Sequence, residues 1–230
     1  ALLFSGTLSP PERFRSELGV EARTVVLPPA AVDRRLGVFL VPDQRTRYRE
    51  RDAGAPALAR LVLQGVRVRP GGYLLFVSAY AWLERLAGAF ERDPLVRGVR
   101  CVRERPGAAD GERRAFVAAL RDVPADGHVL ALAVLGGSYG ESLDLPGRAL
   151  QGVFVAGCGL APPGPAAALR RRVGGAQAGA EGERAAMLRV AQAAGRVLRG
   201  DDDRGFVCLI DDRFATGSLR RWLPAWWSPR

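Results

Sequence analysis

The run Val129-Leu130-Ala131-Leu132-Ala133-Val134-Leu135, followed at once by Gly136-Gly137-Ser138, decides the fold. It is apolar throughout and shows no polar alternation. A strand exposed on one face would alternate, so this one is read as covered on both faces, as in a parallel sheet between helices. The glycines behind it mark a turn at the carboxyl end of the strand. Similar short apolar runs occur at Thr24–Leu27, Gly37–Val41, Tyr73–Ser78, Val99–Val102, Gly152–Ala156 and Phe206–Ile210. Between them lie helical patterns at Ala55–Gln64, Tyr80–Phe90, Glu112–Asp122, Ala166–Arg172, Glu183–Leu198 and Ser218–Leu223. Strand–helix alternation of this kind predicts an α/β domain with a mostly parallel sheet and helices on both faces. The stretch Gly174–Gly182, rich in Gly and Ala, reads as a mobile loop between two helices.

Length and composition set the bounds. The 230 residues suffice for one domain with insertions and a real core. No window approaches 18 uncharged apolar residues, so no membrane span is expected. No charged-then-apolar signal segment opens the chain, and a cytoplasmic protein is the default expectation. The opening Ala1-Leu2-Leu3-Phe4, with Met187 the sole methionine, reads as a cut piece of a longer chain. The three cysteines, Cys101, Cys158 and Cys208, are far apart. They do not form the clusters that zinc or iron–sulfur sites require, and no metal site is expected. The net charge is +10, and every basic side chain is arginine; lysine is absent. A high-GC genome explains the choice of arginine, while the positive balance suits a polyanionic partner.

Three segments carry candidate chemistry. In Gln192-Ala193-Ala194-Gly195-Arg196-Val197-Leu198-Arg199 a helical rotation of about 100° per residue puts Arg189, Gln192, Arg196 and Arg199 in one stripe. Met187, Ala191, Ala194 and Leu198 fall on the opposite face. The stripe is either a solvated arginine face or a set of planar, permanently charged guanidinium groups aimed at a phosphoryl group in transfer. Gly195, unfavourable in mid-helix, would allow something to approach closely. In Gly136–Gly147 the glycines free backbone N–H groups to face an anion. Glu141 and Asp144, three apart, would share one side of a turn and accept bonds from a ribose hydroxyl or an arginine. Gly136–Gly140 also fits G-x-S-x-G, the nucleophile elbow of α/β-hydrolases. That fold places its histidine after the serine, however, and the only histidine, His128, precedes Ser138. In Gly72–Tyr80 an apolar strand ends in Ser78 and Tyr80, a hydroxyl that can bond phosphate and a ring that can stack on a base. A helix cap and a packing residue are the plainer reading.

Taken together, the segments resemble the carboxyl-terminal helicase domain of the XPD/DinG family of superfamily 2 DNA helicases. Ser5-Gly6-Thr7-Leu8-Ser9-Pro10 resembles motif III, and Gly72–Tyr80 resembles motif IV. Gly136–Gly147 resembles motif V with its E-x-x-D-x-P-G core. Gln192–Arg199 matches Q-x-x-G-R-x-x-R, motif VI, throughout. Asp211-Asp212-Arg213-Phe214 resembles the family's D-x-R-F turn, and Leu223-Pro224-Ala225-Trp226 its L-P-x-W ending. Ser142 departs from the glycine usual after the motif V glutamate.

The resemblance implies a RecA-like three-layer domain over residues 11–230 with helical insertions. Residues 1–10 would form the junction with a first motor domain. It implies that Arg196 and Arg199 reach the phosphates of ATP held by that other domain, and that Gln192, Asp144 and Glu141 line the same cleft. Ser78, Tyr80 and Ser138 would lie along single-stranded DNA, and Ser5 and Thr7 would couple hydrolysis to strand movement. ATP and Mg2+ are the implied cofactors, bound mainly by the other half. An iron–sulfur cluster, if any, would also belong there. The implied partners are single-stranded DNA and the amino-terminal RecA-like domain, in a DNA-associated cytoplasmic protein serving repair or replication. Without lysine no G-x-x-x-x-G-K-[ST] loop can exist in these residues, so the chain alone is expected not to hydrolyse ATP. The alternative is a stand-alone nucleic-acid-binding module without motor activity. The tryptophans Trp222, Trp226 and Trp227 are expected to pack the tail onto the domain.

Overall fold

Six apolar runs become six parallel strands: β1 (Leu36–Val41), β2 (Gly71–Val77), β3 (Val99–Arg103), β4 (His128–Val134), β5 (Gly152–Ala156) and β6 (Gly205–Ile210). They form one sheet in the order β1-β6-β5-β2-β4-β3, and every pairing is parallel. This is a computed structural model. It describes residues 15–16, 18–25, 35–139, 145, 149–160, 164–198, 202–224, 226–227 and 229, without the side chains of 166–167, 170–171 and 174–177. The chain divides into two units, Ala1–Val32 and Asp33–Arg230, and the sheet belongs to the second. In the first unit Arg15 and Ser16 are helical, and an Arg15 guanidinium donates to the Ala22 carbonyl at 3.3 Å. Thr24 and Val25 lie outside any strand, and the rest of the run predicted there lies outside the described residues.

Helices cover both faces of the sheet. On one, α1 (Arg51–Val66) and α2 (Tyr80–Arg92) pack against Tyr73, Leu75, Val77, Leu130, Leu132, Val134, Phe154 and Ile210. The amphipathic pattern of α2 explains its seat: Trp82, Leu83, Leu86, Ala87 and Phe90 are buried, while Glu84, Arg85 and Glu91 face out. Burying a large apolar side chain such as Phe90 stabilises by roughly 1.5–3 kcal/mol. An ion pair from Arg85 to Asp52 joins α2 to α1 on the surface. On the opposite face, α3 (Asp110–Arg121) sends Phe116, Ala119 and Leu120 inward, and α4 (Pro165–Ala194) contributes Ala186, Met187, Val190 and Ala193. A short helix α5 (Gly217–Arg220) follows β6. Trp222 donates to Glu183 at 3.4 Å, and Trp227 is buried against an edge of Trp226, so the tail packs onto the domain.

Two predictions need correction. The loop expected at Gly174–Gly182 is part of α4, one 30-residue helix. Its four glycines cost about 1 kcal/mol each against alanine, yet the helix runs through them. The helix expected to run to Leu198 stops at Ala194, with Gly195 as its cap. Among the described residues no helix is long and apolar enough to cross a membrane.

Candidate functional site

Because all strands are parallel, their carboxyl ends share one edge, where ligands of open α/β sheets collect. Ser78 follows β2 and is exposed; Tyr80, half-buried, begins α2; Ser138, exposed, lies beyond β4. A residue that sequence reasoning passed over ties two of them together. Glu104, just past β3, is 1% exposed. Its Oε1 accepts from the Tyr80 hydroxyl at 2.8 Å and from the Ser138 backbone N–H at 3.0 Å. Its Oε2 accepts from the Val134 N–H at 2.7 Å. Three donors offset much of the cost of burying the carboxylate. The loop must come close to do this: a Cβ on Gly137 would lie 2.6 Å from Oε1, so a side chain there would push the carboxylate aside. Burial, reinforced by the neighbouring Glu104 carboxylate, pushes the Tyr80 phenol up to about 12. It therefore remains a protonated donor, committed to Glu104 rather than to a ligand.

A second buried carboxylate stands at the end of β6. Asp211 accepts a bond from the Thr46 hydroxyl. It also accepts from Arg213 Nε at 2.7 Å, from a second guanidinium nitrogen at 2.8 Å and from the Arg213 N–H at 2.8 Å. Burial opposes its ionisation, but the bonds from Arg213 and Thr46 outweigh that and hold its pKa below the ordinary value. The bond to Asp211 raises the Arg213 pKa in turn. The D-x-R-F segment is thus a self-braced turn, and Thr46 ties the loop after β1 to it. On the far side, Arg189 of α4 donates to the Gly159 carbonyl at 2.9 Å and lies over Gly136. Gly136 has φ +76°, a left-handed turn that favours glycine.

Arg196 stands elsewhere. α4 returns to β6 and so runs against the strands, which brings its carboxyl end to the opposite, amino edge of the sheet. There Val197 presses on Gly205, the first residue of β6. The expectation of one outward stripe fails in three respects. Arg189 is engaged with Gly159. The helix ends before Arg196. Arg196, only 5% exposed, is turned into the domain. The cause is local: Gly195 ends the helix, and the next residues follow buried Val197 inward. Gln192 is half-buried in the last turn. Arg199, Glu141, Asp144, Ser5 and Thr7 lie outside the described residues. No group of three or more His, Cys, Asp or Glu among the described residues is placed to hold a metal.

Residues 62–230 match the model of the helicase C-terminal domain family. The chain belongs to that family. The fold agrees: a solved XPD helicase superposes with a TM-score of 0.68 at 21% identity, covering 94% of this chain and 40% of that one. An apo XPD structure gives 0.70 at 20% identity, covering 94% and 45%. Among curated relatives, the regulator of telomere elongation helicase 1 homolog of Drosophila sechellia is 28% identical over 98% of this chain. Its mouse counterpart is 26% identical over 99%. The chain spans about a quarter of these relatives, 26% and 21% of their lengths.

Proposed function

We propose that this helicase C-terminal domain is the second motor half of an ATP-dependent DNA helicase, working with a first RecA-like domain that grips the nucleotide. The family match over residues 62–230 carries this reading. The lysine-free sequence agrees with it, since a phosphate loop would have to come from the other half.

ATP, when bound with Mg2+, supplies the phosphoryl group whose transfer drives the motor. Amide and guanidinium donors suit a polyphosphate, and the last turn of α4 with the residues after it supplies both types. In this reading Gln192 and Arg199 face the nucleotide, with Asp144 and Glu141 lining the same cleft. Burial gives Arg196 a further part: it holds the segment after α4 against the domain. Ser78 and Ser138 present exposed hydroxyls to single-stranded DNA at the carboxyl edge, and Tyr80 presents its ring, its hydroxyl being held by Glu104. Ser5 and Thr7 transmit nucleotide state to that track.

The test uses the full-length protein. Arg199→Ala should reduce DNA-stimulated ATP turnover by about 10³-fold or more, as loss of an arginine finger does, with thermal stability unchanged. Arg196→Ala should lower both turnover and melting temperature. Wild-type turnover in Arg199→Ala would defeat the assignment. The charge of +10 favours one alternative, a binding module without motor activity. That module would bind single strands through this chain alone, with strong salt dependence.

A further inference from the structure

The loop between β1 and α1 has no role in the reading above. Its sequence, Arg45-Thr46-Arg47-Tyr48-Arg49-Glu50-Arg51, alternates arginine with other residues. The loop is pinned at the carboxyl edge: Thr46 is buried and bonded to Asp211, and Arg47 pairs with Asp212 at 2.8 Å. A Cβ on Gly157, just past β5, would lie 3.1 Å from the Thr46 hydroxyl and 3.9 Å from the Trp82 ring. Loop, strand end and the first turn of α2 therefore meet at one place.

At that place one guanidinium lies over two rings. Trp82, fully buried, forms the base. The Arg51 guanidinium carbon lies 5.6 Å from its ring centroid and 4.6 Å from that of Tyr48. The Arg51 side chain is only 10% exposed, its Nε has no hydrogen-bond partner, and its nearest carboxylate contact is Asp52 at 4.0 Å. Two rings, rather than an ion pair, hold this cation. Tyr48, in contrast, is 77% exposed, and Arg51 is the only charged or aromatic group stacked on it among the described residues. Core packing does not account for so exposed a ring. A guanidinium fixed behind it orients the ring at little entropic cost.

We infer that Tyr48 is a stacking platform for a nucleobase of single-stranded DNA, the base lying on the exposed ring that Arg51 braces. Arg45 and Arg49, exposed on either side in sequence, meet the flanking phosphates. The platform rests on the reading of this domain as the DNA-tracking half of a motor, and adds to it a contact on the β6 side of the sheet, away from Ser138. Stacking uses the π-face that every base has, so the contact is indifferent to sequence.

The test measures binding of the full-length protein to a labelled single-stranded oligonucleotide and to a set carrying one abasic position each. Tyr48→Ala should weaken binding by about 5- to 150-fold, the range seen when a stacked ring is removed. Tyr48→Phe should stay within about twofold. Wild type should lose affinity at one abasic register, and Tyr48→Ala should be blind to it. Arg45→Gln with Arg49→Gln should flatten the salt slope by about 1.4, for two phosphate contacts on a single strand. Tyr48→Phe keeps a ring over Arg51 and should melt with the wild type, while Tyr48→Ala removes that ring and should melt slightly lower but still fold. If wild type binds and Tyr48→Ala binds equally well, the platform is wrong while the motor reading stands. If wild type does not bind single strands, both fall.

Discussion

The two edges of this sheet are built on different principles. The carboxyl edge is polar and braced from within: Glu104 collects three donors, Asp211 collects Thr46 and Arg213, and Arg189 reaches the Gly159 carbonyl. The amino edge is closed by close contact. Gly72 abuts the Ala149 carbonyl, Gly152 faces the Phe206 ring, and Gly205 is wedged between Val197 and the Gln151 carbonyl. The first construction holds the exposed Ser138 and the Tyr80 ring in set positions through charge-assisted bonds to Glu104. The second leaves no room for another atom, and Arg196 is folded in beside it. A motor half needs both: a surface that presents groups to a moving strand, and a rigid base from which a cation can be aimed.

The largest expected effect is at the close-packed edge. Gly205→Ala or Gly72→Ala sets a methyl group against a backbone carbonyl that cannot step aside. We expect at least about 3 kcal/mol of lost stability, at or beyond the usual overpacking cost, measured by denaturant unfolding of the Asp33–Arg230 unit. A mild effect would mean that this edge is less rigid than described.

At the polar edge, Asp211→Asn leaves the Arg213 guanidinium without its carboxylate. Arg213 keeps some contact with water, so about 2–3 kcal/mol is expected, below the value for a fully buried pair. The pH dependence has a definite sign. Asp211 ionises more readily folded than unfolded, so its contribution is complete above pH about 4 and is lost as pH falls through its lowered folded pKa. The Asn variant should lose that part of the acid dependence.

A smaller stability effect is expected for Glu104→Gln, about 1–3 kcal/mol, because an amide NH2 would have to face a backbone N–H. Its diagnostic effect is functional: the DNA concentration for half-maximal stimulation should rise while the maximal rate stays close to wild type. An unchanged half-maximal concentration would make Glu104 a purely structural carboxylate.

Much of the fold was legible in the sequence, for a simple reason. Strands buried on both faces are short unbroken apolar runs, and all six in the sheet were located to within a residue or two. The family and its RecA-like architecture were legible from motif order. What escaped depends on tertiary distance. Glu104, between Arg103 and Arg105, looks like surface charge until the fold brings Val134 and Ser138 to it. Thr46 shows no local sign of its bond across 165 residues to Asp211. Helical periodicity put Arg196 on an outward face, because periodicity cannot show where Gly195 ends the helix. The Gly174–Gly182 stretch misled in the other direction: its glycines read as a break, yet the helix continues through them.

In the proposed motor this lobe acts on a nucleotide held by another. ATP turnover by the full-length protein, with and without single-stranded DNA, tests it most directly. Turnover should be stimulated several-fold by DNA and should be absent from the isolated 230-residue chain. Turnover by the isolated chain, or a full-length protein indifferent to DNA, would contradict it.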